Sequence, residues 1–182
     1  AAQYYRHLGA RVIAFDSSKM RCQRARDVGI EEVFDVEPGR QVEVVLDHTQ
    51  GKGANIAVDA VGSSAVVLNC VNAAATNGKI VILGTPRAEV SGNLTELLRP
   101  VHMRCLQILG AFEWRVPAYR QVGVPHSIES NLLMIWDLIA RGRLHVSELI
   151  THVIKPEEMQ SAYMGLLNDK ENYLGVLVDW QS

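Results

Sequence analysis

The feature that most constrains this chain is an alternation: short, continuously apolar runs separated by stretches with helical periodicity. Arg11-Val12-Ile13-Ala14-Phe15-Asp16, Asn55-Ile56-Ala57-Val58-Asp59-Ala60-Val61, Lys79-Ile80-Val81-Ile82-Leu83 and Cys105-Leu106-Gln107-Ile108-Leu109-Gly110 are such runs. A strand that is apolar at successive positions must be covered on both faces, and parallel sheets clothed by crossover helices do this. The pattern predicts an α/β fold built on a doubly wound parallel sheet.

The intervening segments fill in the order. Ala1, Ala2, Tyr5 and Leu8 share one helical stripe that Gly9 stops. Ser17 or Ser18 can cap a helix over 19–28, ended by Gly29. A weak strand follows at 32–35, then a turn at Pro38-Gly39 and a helix over 41–49. Another helix runs from Ser63 or Ser64 to about Ala75, closed by Asn77-Gly78, and a short one lies near Thr95. After Gly110 the character changes. Residues 112–127 read as a loop, and 128–141 as an amphipathic helix with Leu132, Leu133, Ile135, Trp136 and Ile139 near one face. A strand over 148–153, a helix from Pro156 and a strand over 175–179 close the chain. This divides it into 1–110, the sheet domain, and 111–182, a small α+β piece.

A doubly wound sheet opens with a strand, whereas this chain opens with a helix and without Met. The expectation is therefore that the first strand lies upstream and that its neighbours here have unpaired backbone groups, which are costly and prone to aggregate.

Composition narrows the function classes. At 182 residues with 48% hydrophobic content and a net charge of −2, the chain lacks the basic footprint of a nucleic-acid binder. No apolar stretch approaches the roughly 18 residues of a membrane span. Cys22, Cys70 and Cys105 are an odd, scattered set with no CxxC pair, which fits a reducing, cytoplasmic setting and gives no zinc-type spacing. No catalytic or metal-ligating residue is identified. Gly51-Lys52-Gly53 is a turn, not a phosphate loop, because Ile56 stands where a later glycine is needed.

Several blocks, taken in order, resemble zinc-type medium-chain alcohol and polyol dehydrogenases: Leu8-Gly9-Ala10-Arg11-Val12-Ile13-Ala14-Phe15-Asp16, the run Gly51 to Gly62, Gly78 to Gly84, Leu149-Ile150-Thr151-His152, and Pro156-Glu157-Glu158 through Ala162-Tyr163 to Gly175-Val176-Leu177-Val178. The resemblance covers nearly the whole chain. It implies a Rossmann-type NAD-binding domain over 1–110 that lacks its first strand and glycine fingerprint. It makes 111–182 the returning part of the catalytic domain. Zinc, the implied second cofactor, would be held only by the missing upstream domain, so this chain by itself is expected to be inactive. A small alcohol or polyol is the implied substrate, and a homo-oligomer the implied assembly, with the run from Cys105 to Gly110 as a pairing edge.

On the same basis eight residues are candidates for cofactor contact. Asp16, at the end of the second strand of such a fold, can accept hydrogen bonds from both ribose hydroxyls, and its charge would repel a 2′-phosphate. Arg21 lies five residues on, where the resemblance implies a cation beside the adenosine ribose; the plainer reading is a solvated helix residue near Arg24 and Arg26. Ala60, Val61, Leu83, Gly84, Thr85 and Leu109 occupy strand ends that line the crevice in doubly wound folds, although ordinary turn chemistry explains the glycines equally well. His152 reads as a structural residue, and Asp47-His48 as a solvated helix end. Two other functions remain open at this stage. One is a zinc-independent NADPH quinone oxidoreductase, against which Asp16 argues. The other is a non-catalytic remnant that acts in assembly.

Overall fold

The computed structural model describes residues 1–87 and 89–181. The elements run α1 (Ala2–His7), β1 (Ile13–Phe15), α2 (Lys19–Asp27), β2 (Glu32–Phe34), α3 (Gln41–His48), β3 (Ala54–Asp59), α4 (Ser64–Ala73), β4 (Ala74–Ile82), α5 (Leu94–Met103), β5 (Gln107–Gly110), α6 (Ile128–Ala140), β6 (Ile150–Ile154), α7 (Met159–Asn168) and β7 (Gly175–Val178). They form two units, one of residues 1–36 with 129–182 and one of residues 37–128. No helix is long and apolar enough to cross a membrane among the described residues.

Every strand pairing is parallel, as the doubly apolar runs require. Hydrogen bonding divides the strands into three ladders: β1-β2, β3-β4-β5 and β6-β7. Among the described residues β1 and β3 each have a partner on one flank only.

In the first unit, Cys22, Val28, Ile30 and Val33 are buried together, with Ala2, Val12, Ala14, Ala25 and Leu149 packed on them. The small side chains of Ala14 in β1 and Ala25 in α2 let strand and helix approach closely. Ser18, rather than Ser17, caps α2, its hydroxyl accepting from the Arg21 amide at 3.2 Å. In the second unit the core is Cys70, Val71, Ala74, Ile80 and Leu106, with Ala57, Val66, Val67, Leu97 and Val101 around it. Val71 and Ile80 are fully enclosed, and burying each such side chain contributes roughly 1.5–3 kcal/mol.

Three sequence expectations are corrected. The third strand ends at Asp59, two residues short of Val61, because the Asp59 side chain takes the next amides for itself. The helix α4 stops at Ala73 and β4 begins at once, with a register shift that absorbs Asn77-Gly78; Asn77 takes a positive φ of 60° and donates to the Arg104 carbonyl. The guanidinium of Arg104 closes the end of α4, donating to the carbonyls of Ala74 at 2.8 Å and Val71 at 2.5 Å. In α6 the buried residue is Leu138, while Leu132, Leu133 and Trp136 are exposed.

Candidate functional site

The C-terminal ends of the parallel strands are where a doubly wound fold presents its ligand-facing groups. In the first unit that end is Asp16. Its amide continues the ladder by donating to the Phe34 carbonyl at 3.3 Å, so the residue sits at the tip of β1. One carboxylate oxygen, Oδ1, accepts from the Ser18 amide at 2.9 Å, which fixes the rotamer; Ser18 in turn caps α2. The second oxygen has no partner among the described residues, and the side chain is half-buried. Beneath it, the buried Cys22 thiol donates to the Asp16 carbonyl at 3.3 Å, and burial pushes that thiol's pKa up.

Arg21 stands one turn into α2. Its Nε is buried and has no hydrogen-bond partner among the described residues, and no ion pair joins it to Asp16. The uncommitted carboxylate oxygen at the tip of β1 suits a polar ligand that offers hydroxyl donors, whereas the Arg21 Nε is enclosed.

The second unit supplies a different surface. The turn after β3 and the turn after β4 meet backbone to backbone. Gly62, with φ of 79°, lies so close to the Thr85 carbonyl that a Cβ there would strike it, and a Cβ on Gly84 would strike the Gly62 amide. The Arg87 amide donates to the Gly62 carbonyl at 3.3 Å. With the glycines turned inward, their neighbours face out: Val61 is 74% exposed, Leu83 46% and Leu109 40%. Ala60 and Thr85 are exposed beside them. The result is an apolar rim on a close-packed backbone platform, which suits a flat ring rather than a charged group. The six rim candidates are all brought to the strand ends of this unit, and Asp16 and Arg21 to those of the other.

Sequence reasoning missed Asp59. It is completely buried at the last position of β3. Its Oδ1 accepts from the amides of Val61 at 2.9 Å and Gly62 at 3.0 Å, and its carbonyl accepts from the amides of Leu83 at 2.9 Å and Gly84 at 2.8 Å. An Asp two residues before an amide it can bind, followed by glycine, is the signal that could have found it.

His152 is in β6, on the ladder it forms with β7. Its Nδ1 is 2.9 Å from the Thr151 hydroxyl, and its ring stacks on Tyr173 with centroids 3.8 Å apart. Thr151 already donates its one proton to the Gly175 carbonyl and accepts from the Leu174 amide. The Nδ1 must therefore donate, so of the two neutral tautomers the one with its proton on Nδ1 fits. Among the described residues no group of three or more His, Cys, Asp or Glu side chains could hold a metal ion.

Residues 1–126 match the family described as zinc-binding dehydrogenase. Over 176 residues the chain is 26% identical to an uncharacterized zinc-type alcohol dehydrogenase-like protein of Haemophilus influenzae, covering 97% of this chain and 45% of that protein. It is 27% identical over 163 residues to a probable D-xylulose reductase A of Aspergillus terreus, covering 85% of this chain and 40% of the relative. A crystal structure of an NAD-dependent alcohol dehydrogenase superposes with a TM-score of 0.75 at 25% identity, over 98% of this chain and 46% of that one. The chain thus spans less than half the length of these relatives.

Proposed function

This chain belongs to the zinc-binding dehydrogenase family, and we propose that it is the cofactor-holding portion of an oxidoreductase that moves a hydride between NAD and an alcohol or polyol. The family supports oxidoreductase chemistry; the choice of NAD rests on Asp16. A strand-tip carboxylate with its rotamer fixed by the Ser18 amide and one oxygen uncommitted can accept from both hydroxyls of a ribose. The same charge disfavours a 2′-phosphate at that point. When bound, the dinucleotide supplies the hydride acceptor. In this reading the residues of the chain hold and orient it: Asp16 and Arg21 on the ribose side, and the rim of Ala60, Val61, Leu83, Gly84, Thr85 and Leu109 through apolar and backbone contacts. The likeness to a probable D-xylulose reductase supports the polyol class.

The described residues do not fit zinc, since they form no cluster of three or more ligating side chains able to hold it. In this reading the zinc ligands lie outside these 182 residues, and the chain by itself binds dinucleotide without turning over. It assembles as a homo-oligomer along β5, a ladder edge whose four residues are all exposed.

Titration calorimetry of wild type and Asp16→Gly with NAD and NADP tests the reading. Loss of two hydrogen bonds to a charged acceptor, about 1.5 kcal/mol each, should weaken NAD binding by about two powers of ten. NADP affinity should hold or rise. An unchanged ratio of the two affinities would count against Asp16 and against the NAD assignment.

A further inference from the structure

We propose that Asp59 is a positioning residue for the dinucleotide, holding the rim of the second unit in its receptive shape without touching the ligand. The inference rests on the cofactor reading above, and its test separates the two.

One residue gathers four main-chain amides. The carboxylate holds those of Val61 and Gly62, and the carbonyl holds those of Leu83 and Gly84. Drawing the Val61 amide inward turns its side chain outward, which is why so apolar a residue stands 74% exposed next to one that is fully buried. Pulling in the Gly62 amide also seats Gly62 against the Thr85 carbonyl and Gly84 against Gly62, so both turns share one anchor.

The choice of residue is costly. A buried carboxylate is unfavourable unless fully hydrogen-bonded, and Asp59 Oδ2 has no hydrogen-bond partner among the described residues. Yet bonds from amides to a carboxylate are roughly twice as strong as bonds between neutral groups. They stiffen the turn that presents Val61. A rim already fixed in shape loses less conformational freedom on receiving a flat ring. Removing the carboxylate leaves two amides without an acceptor, and the turn relaxes to find others. Val61 then moves, and with it the surface offered to the ligand.

The experiment measures NADH affinity of the full chain by NADH fluorescence, alongside thermal unfolding, for wild type, Asp59→Ala, Asp59→Asn and Val71→Ala. Asp59→Asn keeps an oxygen able to accept from both amides and should bind within about threefold of wild type, whereas Asp59→Ala should lose about tenfold or more. Val71→Ala, a buried position in the same core, should lower the unfolding midpoint while leaving affinity unchanged. If Asp59→Ala does not fold, Asp59→Ser, whose oxygen is too short to reach both amides, carries the same expectation. Wild type that fails to bind NADH overturns the cofactor reading and this inference with it. Wild type that binds while Asp59→Ala binds equally well overturns the inference alone. So does an Asp59→Asn as weak as Asp59→Ala, or a Val71→Ala that loses as much affinity as Asp59→Ala.

Discussion

Arg104 offers the most quantitative test of how the second unit is held together. It follows α5 directly, and its guanidinium reaches the exposed carbonyl end of α4: Nη1 donates to Ala74 at 2.8 Å, with a longer contact to Asn72 at 3.4 Å, and Nη2 donates to Val71 at 2.5 Å. These carbonyls lie at the helix terminus, where no intrahelical donor remains, and Val71 and Ala74 are both buried. Each good bond from a charged donor contributes about 1.5 kcal/mol at the low end. The attraction of a cation to a helix C-terminus adds about 0.5 kcal/mol. Two good bonds plus that attraction put the cost of Arg104→Ala at about 3.5 kcal/mol, a large share of the 5–15 kcal/mol typical of a folded domain. Arg104→Lys keeps the charge but lacks the fork, so it should retain about half of the stabilisation. Amide hydrogen exchange at Ile80 and Val81, in the strand packed beside this helix, reads the opening free energy of this unit directly. The expected drop is about 3.5 kcal/mol for Ala and about half that for Lys. A drop below about 1 kcal/mol for Ala, or a Lys variant equal to wild type, would show that water replaces the guanidinium at little cost and that the bonding account is wrong.

Two further outcomes follow from the titrating groups. Burial, and secondarily the Asp59 charge, pushes the Cys70 thiol from an ordinary 9.0 up to about 11. The folded state thus holds this proton more tightly than the unfolded one. The resulting stability is complete below about pH 9 and is lost as pH rises towards 11, in total at most about 2.7 kcal/mol. Urea unfolding from pH 8 to 11 should show this fall in wild type and not in Cys70→Ala; parallel curves would refute it. Thr151→Val removes a hydroxyl that joins Gly175, Leu174 and His152, and should cost about 2 kcal/mol. Nitrogen NMR of the His152 ring should find Nδ1 protonated in wild type at neutral pH. A proton on Nε2 alone would break the argument for the tautomer.

Much of the framework was legible because its causes are local. The apolar run 11–16 contains β1, the run 55–61 overlaps all of β3 but its first residue, and the cap-and-glycine signals bracket α2 within a residue. Parallel pairing followed from strands apolar on both faces. The strand-end positions of Asp16, Val61, Leu83 and Leu109 followed from the same alternation. What the pattern could not reveal depends on contacts distant in sequence. Where α4 yields to β4 is decided by Arg104, some thirty residues away. Where β3 stops is decided by the Asp59 carboxylate, whose choice of Val61 and Gly62 over a longer strand competes with ladder bonding. Periodicity marked the apolar side of α6 correctly as apolar, but periodicity does not say what covers it, and Leu132 and Trp136 are exposed.

The contact of two glycine backbones at Gly62 and Gly84 has an engineering consequence. Side chains cannot be added at either point without driving the turns apart, so the floor of this edge is not open to redesign. Val61, Leu83 and Thr85 point away from that floor, and their bulk can be varied with little effect on what lies beneath. A library confined to those three positions would vary the shape and polarity of this edge while leaving its foundation untouched.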